Sequence, residues 1–283
     1  MVSLLLPVFI SGCSHRQIHE QRISVTIEPQ RYFATKLAGG LFEIHTVVPV
    51  GQSPETYDPA PHEMINIAQS RAYFQIGRIG FEQAWMKTIK NNNPDVLFFD
   101  LSEGIHWLGA ETDCGHDCSH RHSGSSVDPH IWNSTKSARL IAQNTLNAFV
   151  QLDPEHTAVY RENYRQLMDE IEETEQLLHE KLDTLTRRTF IIYHPALTYF
   201  ADEFNLHQFA IEEEGKEPSA ASMKKLVDTA RAANVRVVFV QQEFDRKHAE
   251  LLAEETGARI VSINPLDGRW KEQMLYIADE LIK

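Results

Sequence analysis

Short apolar runs alternate with helical stretches along most of the chain. The first half contains four such runs, at residues 23–27, 42–48, 72–76 and 96–99. The second half contains four more, at residues 190–193, 208–211, 235–240 and 259–263. Short β-branched and aromatic runs separated by helices are typical of parallel strands that are buried on both faces of a sheet. The pattern therefore predicts an α/β fold with two lobes, each built on a four-stranded parallel sheet flanked by helices.

A longer helical pattern separates the two halves. Pro154 stands at a helix start, and apolar residues follow it at intervals near three and four as far as Leu182. A helix that continues to about Thr186 would be about 45 Å long, enough to span both lobes. We therefore predict a leader and tether (1–22), an N-terminal lobe (23–152), a rigid connecting helix (153–187) and a C-terminal lobe (188–283).

The charge balance excludes one class of partner. The chain has 27 Lys and Arg residues against 40 Asp and Glu residues, a formal net charge of -13. This surplus would repel a phosphate backbone, so nucleic acid is not expected as a partner. No apolar run is long enough to span a membrane as a helix. An acidic balance favours cations only weakly, so the chemistry must be sought in particular residues.

The N-terminus contains a short apolar run that ends near a cysteine. Residues 2–10 are mostly apolar and are followed by Ser11, Gly12 and Cys13. This segment resembles the lipobox of bacterial lipoproteins, in which the cysteine becomes the acylated first residue, although no Lys or Arg precedes it. We therefore expect a membrane-anchored lipoprotein, attached through Cys13, in the periplasm or at the cell surface. The polar residues 14–22 would then be a tether.

Three candidate metal ligands follow strands in the predicted sheets. Glu55 lies in the loop after the second strand, His130 lies beyond the fourth, and His194 directly follows the first strand of the second half. Parallel sheets bind ligands at the carboxyl ends of their strands, where loops of two halves meet. Imidazole nitrogen and carboxylate oxygen suit Zn²⁺, whereas Mn²⁺ favours more oxygen ligands. We predict that these three residues bind one zinc ion, with manganese less favoured.

The polar segment 111–126 is rich in side chains that bind metals. It contains Cys114, His116, Cys118, His120 and His122 among Gly and Ser residues. One interpretation is weak metal capture near the mouth of the cleft, and the alternative is a linker whose histidines are incidental. The sequence leaves open whether the two cysteines form a disulfide or bind metal.

Several motifs together resemble one protein family. They are Gly-Gln-Ser-Pro-Glu-Thr-Tyr-Asp-Pro at 51–59, Asp-Pro-His-Ile-Trp at 128–132, Tyr-His-Pro-Ala-Leu-Thr-Tyr-Phe at 193–200, Gly-Lys-Glu-Pro-Ser at 215–219 and Glu-Thr-Gly-Ala-Arg at 255–259. From Ile23 to the C-terminus the chain resembles the zinc/manganese substrate-binding proteins of ABC transporters, in particular the zinc-uptake branch. The resemblance implies two lobes joined by a rigid helix, a metal ion between them, and a monomer that docks onto a membrane permease.

The resemblance also assigns roles to individual positions. His130 and His194 match two ligand histidines, and Glu55 stands where the zinc branch usually has a histidine. The position of a fourth family ligand matches Asn264, a poor donor, so water or Glu243 are the alternatives. Glu217 would stabilise either its own loop or a residue that orients a metal ligand. A helix is expected to begin near Ser219.

The resulting hypothesis is capture and release of a metal ion without catalysis. One alternative is a zinc hydrolase with Glu243 as its general base. We disfavour it because the sequence has no His-Glu-x-x-His motif. The other alternative is a metal-binding surface adhesin.

Overall fold

The first half of the chain forms one parallel sheet. The computed structural model describes residues 19–109, 127–212 and 215–283. The first half contains β1 (His19–Val25), α1 (Glu28–Ala38), β2 (Glu43–Thr46), α2 (Pro61–Gln69), β3 (Ser70–Gln75), α3 (Gly80–Asn92) and β4 (Leu97–Asp100). The strand order is β2-β1-β3-β4, and all three strand pairs are parallel. α1 ends at Gly39, whose φ of 58° is the left-handed conformation that glycine adopts at helix ends.

Two helices join this sheet to a second one. They are α4 (Thr135–Leu152) and α5 (Thr157–Leu182), separated by a single 3-10 turn. The second half then contains β5 (Thr189–Ile192), α6 (Thr198–Glu203), β6 (His207–Ala210), α7 (Ala220–Ala232), β7 (Val237–Gln241), α8 (Lys247–Thr256), β8 (Arg259–Ile263) and α9 (Trp270–Ile282). Its strand order, β6-β5-β7-β8, repeats the arrangement of the first sheet.

The two-sheet α/β architecture is therefore confirmed, and every predicted strand is present within a few residues of its expected bounds. β1 differs most, because it begins at His19, inside the segment assigned to a tether. Arg22 pairs there with Glu43 of β2, and their side chains form an ion pair at 3.2 Å. The start of this strand was missed because its first four residues are polar. α4 was also not predicted from the sequence.

The long connecting helix is confirmed as α5, which has 26 residues. It ends at Leu182, four residues before the expected position, and the carbonyl of Asp183 accepts a hydrogen bond from Arg188. Its apolar stripe is buried at Tyr160, Leu167, Ile171, Leu178 and Leu182. Glu170 pairs with Lys36 of α1, and Glu173 pairs with Lys271 of α9, both at 2.6 Å. α5 is thus held against both halves of the molecule.

The two halves share a continuous apolar core. It includes residues of both sheets, of α4 and α5, and of α9. At its centre the indole of Trp132 donates to the carbonyl of Pro265 at 2.8 Å, and the indole of Trp270 donates to the carbonyl of Trp132 at 2.7 Å. A second, smaller core lies within the C-terminal sheet and its helices. Because apolar interiors are close-packed, this junction resists separation of the halves.

The predicted lipid anchor at Cys13, the open question of a disulfide or metal binding at Cys114 and Cys118, and the role of the segment 111–126 lie outside the described residues. Within the three described ranges, no helix is both long and apolar enough to cross a membrane.

Candidate metal site

Glu55 is held by the beginning of α3. It lies in the loop between β2 and α2, and its Oε2 atom accepts a hydrogen bond from the Gly80 backbone N–H at 3.1 Å. The neighbouring carbonyl of Pro54 accepts from the Phe81 N–H at 2.8 Å. The other carboxylate oxygen, Oε1, is buried and has no hydrogen-bond partner. An unpartnered buried carboxylate oxygen is costly, so this atom is suited to a cation.

His130 lies in the segment that precedes α4 and is only 6% exposed. The Oδ1 atom of Asp128 accepts from the His130 backbone N–H at 2.8 Å and lies 2.9 Å from the ring Nδ1. A proton on Nδ1, shared with this carboxylate, leaves the lone pair of Nε2 free to bind a metal.

His194 lies two residues beyond the end of β5 and has the same kind of partner. Its Nδ1 lies 3.0 Å from Oε1 of Glu212. The side chain of Gln241, at the end of β7, accepts from the His194 N–H at 3.2 Å and donates to its carbonyl at 2.6 Å. The ring of Phe244 stacks on the imidazole at a centroid distance of 5.4 Å. These contacts fix both the backbone and the ring, so Nε2 of His194 is aimed at the site.

The three predicted ligands converge on one point. The Nε2 atoms of His130 and His194 lie 3.2 Å apart, and Oε1 of Glu55 lies 3.9 Å from Nε2 of His130. One donor atom from each residue lies within 4.8 Å of the others. Two ligand nitrogens on a tetrahedral zinc ion are about 3.3 Å apart, given Zn–N bonds of about 2.0–2.1 Å. The geometry therefore suits a small divalent cation.

The electrostatics of the site favour positive charge. Burial alone would lower the pKa of His130, but the charge and hydrogen bonding of Asp128 raise it overall, with help from Glu55 and Glu212. Burial alone would raise the pKa of Asp128, but His130 lowers it overall. The carboxylates that surround the imidazoles therefore attract either a proton or a metal ion.

Within the described parts of the chain, no fourth His, Cys, Asp or Glu joins this group. Asn264 follows β8, and its Oδ1 accepts from the Leu266 N–H at 3.1 Å. It lines an open cavity of about 510 Å³ that also borders α1. Burial raises the pKa of the Glu243 carboxyl group, and the nearby His194 opposes part of this rise. The carboxylate of Glu243 is not among the donor atoms that converge on the site.

The partner of His194 was not predicted from the sequence. Glu217, which was expected to stabilise either its loop or a partner of a ligand, is exposed. The expected helix start is correct, because Ser219 accepts from the Ser222 N–H at 3.1 Å and caps α7. The ring of His194 is instead oriented by Glu212, which follows β6. The rule that selected the three ligands, a polar residue at the carboxyl end of a parallel strand, would also have selected Glu212.

Comparisons with known proteins identify relatives of this chain. The family model described as ZnuA, zinc-uptake complex component A, periplasmic, matches residues 23–279. The high-affinity zinc uptake system protein ZnuA of Bacillus subtilis is 25% identical over 257 residues, which cover 89% of this chain and 80% of that protein.

Solved structures show the same fold. A crystal structure of ZnuA superposes with a TM-score of 0.85 at 34% identity, covering 93% of this chain and 98% of that one. A deletion mutant of ZnuA with zinc bound superposes with a TM-score of 0.84, also at 34% identity, covering 93% and 96% of the two chains.

Proposed function

Because the chain belongs to the family of periplasmic zinc-uptake components, we propose that it captures Zn²⁺ outside the cytoplasm and delivers the ion to the membrane permease of an ABC transporter. It is a binding protein and not an enzyme. The zinc ion is its cargo, held between the two lobes by Glu55, His130 and His194. Contact with the permease loosens this site and releases the ion.

The observation that carries this proposal is the convergence of two imidazole nitrogens and one unpartnered carboxylate oxygen. Both imidazoles share their Nδ1 protons with carboxylates, which orients each ring and makes Nε2 a stronger donor. Two nitrogens and one oxygen favour zinc over manganese, which takes more oxygen ligands. A water molecule completes the tetrahedral shell, since Asn264 is engaged in its own turn.

Metal analysis of the purified chain tests the site. We expect about one tightly bound zinc ion per chain. His194→Ala and Glu55→Ala should each abolish tight binding, because each removes one of the three donors. His62→Ala is a matched control, since this side chain is 72% exposed and pairs with Glu63. Unchanged zinc content in both ligand variants would eliminate the proposal.

The membrane anchor is a separate part of the proposal. The lipobox-like sequence that ends at Cys13 supports a lipoprotein held at the membrane facing the periplasm or the cell exterior, and the family resemblance supports a monomer. In detergent phase separation, we expect the parent chain to enter the detergent phase and Cys13→Ala to stay in the aqueous phase. A parent chain found wholly in the aqueous phase would contradict lipidation.

The remaining proposals concern the organisation of the chain. We propose the division into a leader and tether (1–22), two lobes (23–152 and 188–283) and a connecting helix (153–187). The repeated strand order on either side of α5 supports it. We also propose that the segment 111–126 binds zinc weakly near the cleft. Deleting that segment should remove the weak sites in a zinc titration and leave the tight site.

A further inference from the structure

The carboxylate of Glu55 accepts a hydrogen bond from the first residue of a helix. Gly80 begins α3, and its N–H donates to Oε2 of Glu55 at 3.1 Å. Backbone N–H groups at a helix start are not used within the helix, and they stabilise a nearby carboxylate. One oxygen of Glu55 is therefore occupied by the helix, and the other is left to face His130 at 3.9 Å.

Gly80 also leaves no room for a side chain. A Cβ atom at this position would lie 2.5 Å from the carbonyl oxygen of Glu55, 2.8 Å from its Cα and 2.8 Å from its Oε2. Two of these three atoms belong to the backbone, so a rotation of the Glu55 side chain cannot relieve the contact. The φ angle of Gly80 is not positive, and alanine would meet no backbone strain there. A side chain at position 80 would therefore displace Glu55.

The imidazole half of the site is held by different contacts. The hydroxyl of Tyr199 donates to the Asp128 carbonyl at 3.0 Å, and the side chain of Asn133 donates to the Ala196 carbonyl at 2.8 Å. These bonds tie the segment around His130 to the segment that follows His194. A displacement of Glu55 therefore leaves the two imidazoles together.

We propose that Gly80 is a positioning residue for zinc binding. Its N–H turns one oxygen of Glu55 toward α3, and its lack of a side chain lets the loop approach closely enough for the other oxygen to reach the metal. This assignment rests on the proposed zinc site and specifies how its carboxylate ligand is placed.

Gly80→Ala in the full chain tests the assignment. We expect the zinc dissociation constant, measured by competition with a chromophoric chelator, to rise about 10–100-fold, the usual cost of losing an outer partner of a ligand. Gly268→Ala is the matched control, because its Cβ would approach only the end of the Glu28 side chain, at 2.9 Å. The control should bind zinc as the wild type does.

A double-mutant cycle separates positioning from general damage to the fold. In a Glu55→Ala background, where only weak zinc binding remains, Gly80→Ala should cause no further loss of that residual affinity, since the group that it positions is gone. An equal loss in both backgrounds, or wild-type affinity in Gly80→Ala, would overturn the assignment while leaving the zinc site intact. A wild-type chain without a tight zinc site would overturn the proposed function itself.

A second comparison avoids any change at Gly80. In Glu55→Gln, the Gly80 N–H holds the amide oxygen, and the NH₂ group, which has no donor lone pair for a metal, faces the imidazoles. We therefore expect Glu55→Gln to bind zinc no more tightly than Glu55→Ala. Clearly tighter binding by the Gln variant would show that the carbonyl oxygen is free to turn toward the metal, and that Gly80 does not orient it.

Discussion

The imidazole ligands and the carboxylate ligand of the candidate site are supported in different ways. His130 and His194 each have a carboxylate at Nδ1, from Asp128 and Glu212. Glu55 has a single backbone N–H on one oxygen and nothing on the other. The side chain of His130 is 7% exposed, whereas that of Glu55 is 28% exposed.

This difference indicates that the imidazoles and the carboxylate have different roles within one site. The imidazoles are oriented, less exposed than the carboxylate and tied to each other's segments, so they form a fixed pair before a metal arrives. The carboxylate of Glu55 is held by the beginning of α3 and is more accessible to solvent. We therefore expect the imidazole pair to be in place before the ion arrives and the carboxylate side to respond first when the ion enters or leaves.

The helix that holds Glu55, α3, contains a buried acid. Glu82 of α3 accepts from the N–H groups of Ile76 and Gly77, both at 2.8 Å, and from the hydroxyl of Thr26. Burial raises the pKa of Glu82 from 4.5 to about 7, and the hydrogen bonds oppose this rise only in part. The folded chain thus retains a proton here that the unfolded chain loses at a lower pH.

The largest expected effect is on stability against pH. Because the folded pKa of Glu82 is the higher one, its contribution is complete below pH 4.5 and is lost as the pH rises to about 7. The loss amounts to roughly 3 kcal/mol. Glu82→Gln should remove this part of the pH dependence of the free energy of unfolding, measured with urea at several pH values. Parallel pH profiles for the variant and the wild type would show that folding does not raise the pKa of Glu82.

Much of the fold could be predicted from the sequence, because its signals are local. The central strands are apolar runs that are mostly buried, the edge strands are short runs that are only partly buried, and α5 has a regular apolar stripe. β1 was placed too late because its first residues are polar. The junction of Trp132 with Trp270 joins residues 138 positions apart, and no local pattern reports such a contact.

The candidate site was predictable in part for a related reason. Parallel strands place their carboxyl ends together, so topology alone brings Glu55, His130 and His194 to one region. The orienting partners depend on side-chain geometry, which strand patterns do not contain. Glu217 was chosen from its motif, whereas Glu212 makes the contact with His194. The hydrogen bond from Gly80 to Glu55 depends on how closely one loop approaches α3, and no strand pattern indicates that distance.

A smaller effect is expected when the partner of one imidazole loses its charge. In Asp128→Asn the shape is kept, but the negative charge that raises the pKa of His130 is removed. We expect the zinc affinity at pH 8 to fall about 10–100-fold, and the pKa of His130 in the metal-free chain, followed by NMR, to move downward. Glu212→Gln is the matched change on His194. Unaltered affinity in both variants would mean that these carboxylates do not support the ligands.

The smallest effects come from a pair of Trp→Phe changes that each remove one indole donor. Trp270 is 2% exposed and donates to the Trp132 carbonyl on the imidazole side. Trp85 donates to Asp58 on the carboxylate side, at 3.3 Å in an exposed position. Trp270→Phe should cost about 1–3 kcal/mol of unfolding free energy, since it leaves a buried carbonyl unpaired. Trp85→Phe should cost no more than about 0.5 kcal/mol, because water replaces the lost donor. Equal losses in urea unfolding of the metal-free variants would contradict the difference between a fixed imidazole side and a more accessible carboxylate side.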